Sequence, residues 1–90
     1  MPRHVVWIAE LRFNWRVEAK LRLKHRVSPD DVREAICFGA YRKAAWHDHP
    51  EHGRRLVVQG RSESGIEIIA YLKPVDEMNG IWTCKTAWRL

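Results

Sequence analysis

The sequence predicts a small α+β domain in the order β-α-α-β-β-β(-β), with two helices packed on one face of a small antiparallel sheet. Three observations predict it. A β-branched and aromatic run at His4–Glu10 precedes a stretch free of Gly and Pro, a helix-start signal stands at Ser28–Asp31, and beyond Gly39 the apolar period shortens to that of strands. Ninety residues suit a single domain over 1–90 with one core. An apolar share of 46% with five Trp fills a modest core of that kind.

The elements follow in order. His4–Glu10 reads as the first strand. From about Phe13 to Arg26 the chain is rich in Arg, Lys, Leu, Ala and Glu, which favours a helix with Val17, Leu21 and Leu23 on its buried side. Ser28 then caps a second helix, Pro29 fits its first position, and Asp30 and Asp31 oppose its positive end. Val32, Ala35 and Ile36 recur at helical spacing, and Gly39 supplies the stop. Four strands are expected at Tyr41–Trp46, Arg55–Gly60, Ile66–Lys73 and Ile81–Arg89, joined as a meander through His49–Gly53, Ser62–Gly65 and Pro74–Gly80. Alternation puts Ile66, Ile68, Ala70 and Leu72 on one face of the third of these strands, with Tyr71 and Lys73 on the other. In the last it puts Trp82, Cys84, Thr86 and Trp88 towards the helices, with Lys85 and Arg89 outward together.

Charge narrows the partners. The net charge is +5, and Arg12, Arg16, Lys20, Arg22, Lys24 and Arg26 against Glu18 alone carry the whole surplus. Such a concentration suits phosphates or an acidic protein. Cys37 and Cys84 lie far apart with no CxxC and read as buried thiols of a reducing compartment. Val5–Ala9 is too short for a signal-peptide core, and no run approaches the ~18 apolar residues of a membrane span, so a cytoplasmic location away from membranes is expected.

Lys24-His25-Arg26-Val27-Ser28, after a helix containing Ala19 and Lys20 and before an acidic second helix, resembles the lysine-histidine-glycine-valine-serine segment of the BrnT toxin family. Arg26 stands where that family usually has glycine, and Thr86-Ala87-Trp88-Arg89 only approximates its basic ending. Leu11–Trp15 likewise has Arg12 and Asn14 where family toxins often carry an acidic-aromatic segment. BrnT-like proteins belong to the wider RelE-type group, in which a strand and two helices precede a small sheet whose open face cleaves RNA. The resemblance thus implies a RelE-like domain acting as the toxin of a bacterial type II toxin–antitoxin pair. It implies a metal-independent endoribonuclease, a hydrolase without cofactor, acting on RNA including ribosome-bound mRNA. It also implies a cognate acidic antitoxin, for which the Arg12–Arg26 face and the neighbouring Leu11, Phe13 and Trp15 offer charge and apolar anchors.

Cleavage of RNA through its own 2′-hydroxyl needs a group to take a proton, a group to supply one, and positive charge at the phosphate. His25 is a candidate acid or base, because free imidazole titrates near ~6.5. A histidine ending a helix also serves simply to bond the last carbonyls. Arg61, Lys73, Lys85 and Arg89, near strand ends, are the candidate catalytic cations. Arg16, Lys20, Arg22, Lys24, Arg26 and Tyr71 are the candidate RNA-binding residues, and Trp82 and Trp88 are either base-stacking or core residues.

Two other classes remain open. A basic helix without a strong catalytic signature also fits a noncatalytic nucleic-acid- or protein-binding module. His47, His49 and His52, with Asp48 and Glu51 between them, are alternatively a zinc or nickel donor set, a polar turn, or an RNA-contacting loop with a histidine acid. The sequence contains no Walker loop, dinucleotide fingerprint or serine elbow.

Overall fold

A computed structural model describes residues 6–39 and 42–90. A short strand β1 (Glu10–Arg12) leads into α1 (Trp15–Lys20), which continues as a π-helical turn over Leu21–His25 and is followed by α2 (Pro29–Cys37). Then come β2 (Arg42–His49), β3 (Gly53–Arg61), β4 (Glu67–Asp76) and β5 (Ile81–Arg89). The fold is α+β, and the five strands among the described residues form one sheet in the order β1-β5-β4-β3-β2.

The first strand differs from expectation. Of the expected His4–Glu10, His4 and Val5 lie outside the described residues, and Val6–Ala9 is irregular. Pairing begins only at Glu10, and it is parallel to β5, so the sheet is mixed rather than purely antiparallel. The reason is packing. Ile8 and Leu11 are buried, and the Trp82 indole Nε1 donates to the Trp7 carbonyl at 2.8 Å, so this segment crosses the core before it reaches a sheet edge.

Asn14 caps α1 by accepting from the Val17 N–H at 2.9 Å. The Val17, Leu21 and His25 positions, four apart, make the side that meets β5, whereas Leu23 is 85% exposed rather than part of the buried stripe. The helix ends at Arg26, whose φ of 52° and ψ of 43° are left-handed. The next N–H, from Val27, returns to the Leu21 carbonyl at 3.0 Å. Left-handed backbone costs an L-residue about 1–2 kcal/mol and is ordinarily given to glycine.

The second helix forms as its sequence dictates. Ser28 accepts from the Asp31 N–H, Asp31 accepts from the Ser28 N–H, each at 3.1 Å, and Pro29 opens the helix. Val32, Ala35 and Ile36 are fully buried against β3 and β4. Gly60 permits that approach, because a Cβ there would stand 2.2 Å from the Ala35 carbonyl oxygen. The core adds Leu56, Val58, Ile68, Ala70, Leu72, Trp82, Cys84 and Ala87 from the sheet, with Leu21 and Val27 from the first helical region.

The β2–β3 hairpin is longer than the sequence suggests. It pairs without interruption from Arg42↔Gly60 to His49↔Gly53, so His47 and His49 are strand residues and only three positions, 50–52, remain in the turn. Tyr41, expected in this strand, lies outside the described residues. In β5 the register slips: Leu72 pairs with Cys84 and Tyr71 with Thr86, leaving Lys85 as an extra residue. Such a bulge reverses the alternation beyond it. Trp82, Cys84 and Ala87 therefore fill the core, while Trp88, expected beside Cys84, turns to the face away from the helices.

Candidate functional site

The face of the sheet that the helices leave open carries Arg55, Val57 and Gln59 from β3, Ile69, Tyr71 and Lys73 from β4, and Thr83, Thr86 and Trp88 from β5. Cross-strand partners share a face, and the pairs Val57↔Tyr71, Gln59↔Ile69, Tyr71↔Thr86 and Ile69↔Trp88 align these residues in rows. At one end of the face lies a cleft of about 390 Å³ lined by Lys20, His52, Arg55, Lys73, Lys85 and Thr86. Its charged lining is all cationic.

Each lining residue has a local cause. Lys20 ends α1 on the side that meets β5. Arg55 and Lys73 come side by side one step beyond the Leu56↔Leu72 pair. Lys85 is the bulged residue, so it and Thr86 both oppose Tyr71. His52 ends the β2–β3 turn, and the Lys73 ammonium donates to its carbonyl oxygen, tying the turn to the cleft.

Flat groups continue from the cleft across the sheet. The Arg55 guanidinium lies 4.3 Å from the Tyr71 ring centre, with its Nε buried and without a hydrogen-bond partner among the described residues. Tyr71 stands 5.3 Å from Trp88, and Trp88 stands 6.4 Å from His25. His25 thus borders the open face against Trp88 and is not among the residues lining the cleft.

Of the candidate catalytic residues, the fold brings Lys73 and Lys85 together and leaves two elsewhere. Arg61 is six strand positions from the row of Lys73 on β3, roughly 20 Å at ~3.3 Å per residue. Its guanidinium donates to Glu67 at 2.8 Å. Arg89 pairs with Ile68, on the helix-side face, and lines a separate depression with Arg61, Ser64 and Glu67. Lys85 and Arg89 therefore do not share a face, because the bulge between them breaks the alternation. Of the candidate RNA-binding residues, Lys20 lines the cleft and Tyr71 adjoins it. Arg16 stacks on Trp15 at 5.2 Å, and Arg22, Lys24 and Arg26 are exposed outside the cleft.

The histidine-rich turn does not assemble a ligand set. His49 and His52 rings lie 4.5 Å apart and His47 and His49 rings 6.4 Å apart, yet no three donors converge on a metal position among the described residues. His49 Nδ1 instead accepts the N–H groups of Glu51 and His52, each at 3.1 Å. Loss of hydration, then the positive charge of His52, Arg55 and His47, holds the His49 pKa below its ordinary value. A neutral imidazole suits its role as acceptor.

Neither thiol suits nucleophilic work. Burial pushes Cys84 up to about 12. Burial also raises Cys37, against the opposing pull of Arg42 and Arg33.

Sequence reasoning missed Arg55 as a site residue and put Trp88 on the side facing the helices, leaving base stacking and core packing both open to it. Alternation over Arg55, Val57 and Gln59 was available as a signal for the first. No local signal marks the bulge that decides the second. Among the described residues no helix is long and apolar enough to cross a membrane. Comparison with protein-family models, with curated proteins and with solved structures finds no match for this chain.

Proposed function

We propose that this protein is a metal-independent endoribonuclease of RelE-like, BrnT-like type, the toxin of a type II pair. The observation that carries this reading is the cleft on the open sheet face lined together by Lys20, Arg55, Lys73, Lys85 and His52. Four cations without a lining carboxylate suit a phosphodiester and the charge that builds on it during cleavage. His52, which lines that cleft, is the imidazole to which this reading assigns proton exchange, and His25 stands at the far edge of the same face. In the reaction the 2′-oxygen attacks phosphorus as its proton passes to a base. The bond to the 5′-oxygen breaks as that oxygen takes a proton from an acid. A 2′,3′-cyclic phosphate and a 5′-hydroxyl result, and no metal or cofactor enters.

Arg26 adds support for the BrnT resemblance. The position at which that family usually carries glycine is the left-handed residue that closes the first helical region. Its partner as a toxin is an acidic antitoxin, drawn to the exposed Arg16, Arg22, Lys24 and Arg26 and anchored on exposed Trp15.

Incubation of the partner-free protein with RNA in the presence of a chelator tests this. Cyclic-phosphate and 5′-hydroxyl ends are expected, with the rate falling about 10²-fold or more in His52→Ala. Intact RNA, both free and ribosome-bound, sinks the proposal. Binding without products establishes instead the noncatalytic RNA-binding reading, which is favoured by the position of His25 against Trp88 outside the cleft.

A further inference from the structure

The bulge at Lys85 has a cost, since it interrupts the β4–β5 ladder, and its consequence is to lift Trp88 out of the core. A half-buried indole then lies on the open face, 5.3 Å from the Tyr71 ring and 6.4 Å from that of His25, the latter at a tilt of 40°. Tyr71 is also engaged by Arg55, whose guanidinium lies 4.3 Å from its ring centre. The widest interval in this run of flat groups is therefore the one between Trp88 and His25.

We infer that Trp88 and His25 form a base-binding subsite for single-stranded RNA, with Trp88 as the stacking platform and His25 as its outer wall. The inference rests on the cleft being a phosphate site, as proposed above. Tyr71 and Lys73 are two strand positions apart, about 7 Å at ~3.3 Å per residue. A backbone phosphate in the cleft thus leaves its neighbouring base over the aromatic run. Bases in a duplex are stacked on one another and offer no free face, whereas an unpaired base stacks readily on an aromatic side chain. Because every base has a flat face, the subsite selects for single strands more than for sequence.

Binding of a labelled 2′-O-methyl RNA oligonucleotide, which lacks the free 2′-hydroxyl that cleavage requires, tests the subsite separately from catalysis. Trp88→Ala is expected to weaken binding about 5- to 100-fold, as loss of one base stack does. Trp88→Phe should restore most of it, and quenching of indole fluorescence should accompany binding. The same oligonucleotide with abasic positions should bind the wild type more weakly and be nearly insensitive to Trp88→Ala. Lys85→Ala should instead lower the salt dependence, which Trp88→Ala leaves unchanged. A duplex of the same sequence should bind more weakly than the single strand.

Circular dichroism checks that each variant is folded, and the abasic comparison needs no variant at all. Wild-type binding indifferent to abasic positions overturns the subsite, as does an equal effect of Trp88→Ala on intact and abasic strands. Failure of the nuclease reading has a different signature, since stacking-dependent binding then persists while unmodified RNA stays whole.

Discussion

The two faces of one sheet are built from alternate residues of the same strands, yet they answer to different demands. On the helix side, Leu56, Val58, Ile68, Ala70, Leu72, Trp82, Cys84 and Ala87 are all fully buried. On the open side the neighbouring positions hold Arg55, Tyr71, Lys73, Thr86 and Trp88, partly exposed and clustered at a cationic cleft. The difference teaches where stability and recognition separate. Apolar burial, at about 25 cal/mol per Å², holds the first face together. Like charges such as Arg55, Lys73 and Lys85 do not attract one another, and in the function proposed above the RNA phosphate is the anion that joins them.

The largest effect is expected on the helix side. Trp82→Ala removes a fully buried indole and its hydrogen bond to Trp7, and should cost about 3–5 kcal/mol in denaturant unfolding. A loss below about 1 kcal/mol would show that this face is not the stabilising one.

Relief of the left-handed residue between the helices comes next. Arg26→Gly should stabilise the fold by about 1 kcal/mol, offset in part by the greater freedom of glycine in the unfolded chain. Unchanged or reduced thermal stability would mean that Arg26 makes compensating contacts.

On the open face, Lys73→Ala and Lys85→Ala should each change stability by no more than about 0.5 kcal/mol while reducing the salt slope of RNA binding by about one unit. RNA affinity and salt slope unchanged from the wild type in both variants would break the division between the faces. The smallest effect is electrostatic and lies at the turn beside the cleft. Its depressed pKa means that, as pH falls, the unfolded chain takes up the proton before the folded one does. The contribution is complete above the ordinary value of 6.5 and is lost as pH falls through the lower folded value. A proton-resonance titration should give His49 a midpoint below 6.5, and a midpoint at or above it refutes the assignment.

Much of this division was legible beforehand. Ser28-Pro29-Asp30-Asp31 announced α2 because a cap, a proline and two carboxylates each act on the first helical turn; the Ser28 cap forms as read, and Asp31 completes a capping box by accepting from the Ser28 N–H. Ile81–Arg89 appears with the bounds that its alternation implies. Lys73 and Tyr71 were placed on the face opposite Leu72, and there they lie, because alternation is a local property of extended backbone. The cationic cleft was harder. Lys20, Arg55, Lys73 and Lys85 belong to four different elements, and only sheet order and helix docking make them neighbours.

Two helical segments, the strands of the meander and part of the core, Val32, Ala35, Ile36, Trp82 and Cys84, were legible in the sequence, since caps, period and side-chain volume act over a few residues. Contacts between distant elements alone made β1 pair in parallel with β5, set Arg61 and Arg89 apart from Lys73, and turned Trp88 away from the helices. For Trp88 and Arg89 the cause is the register of β5 against β4. One extra residue at Lys85 is invisible to the composition of either strand, yet it exchanges the faces of every side chain that follows.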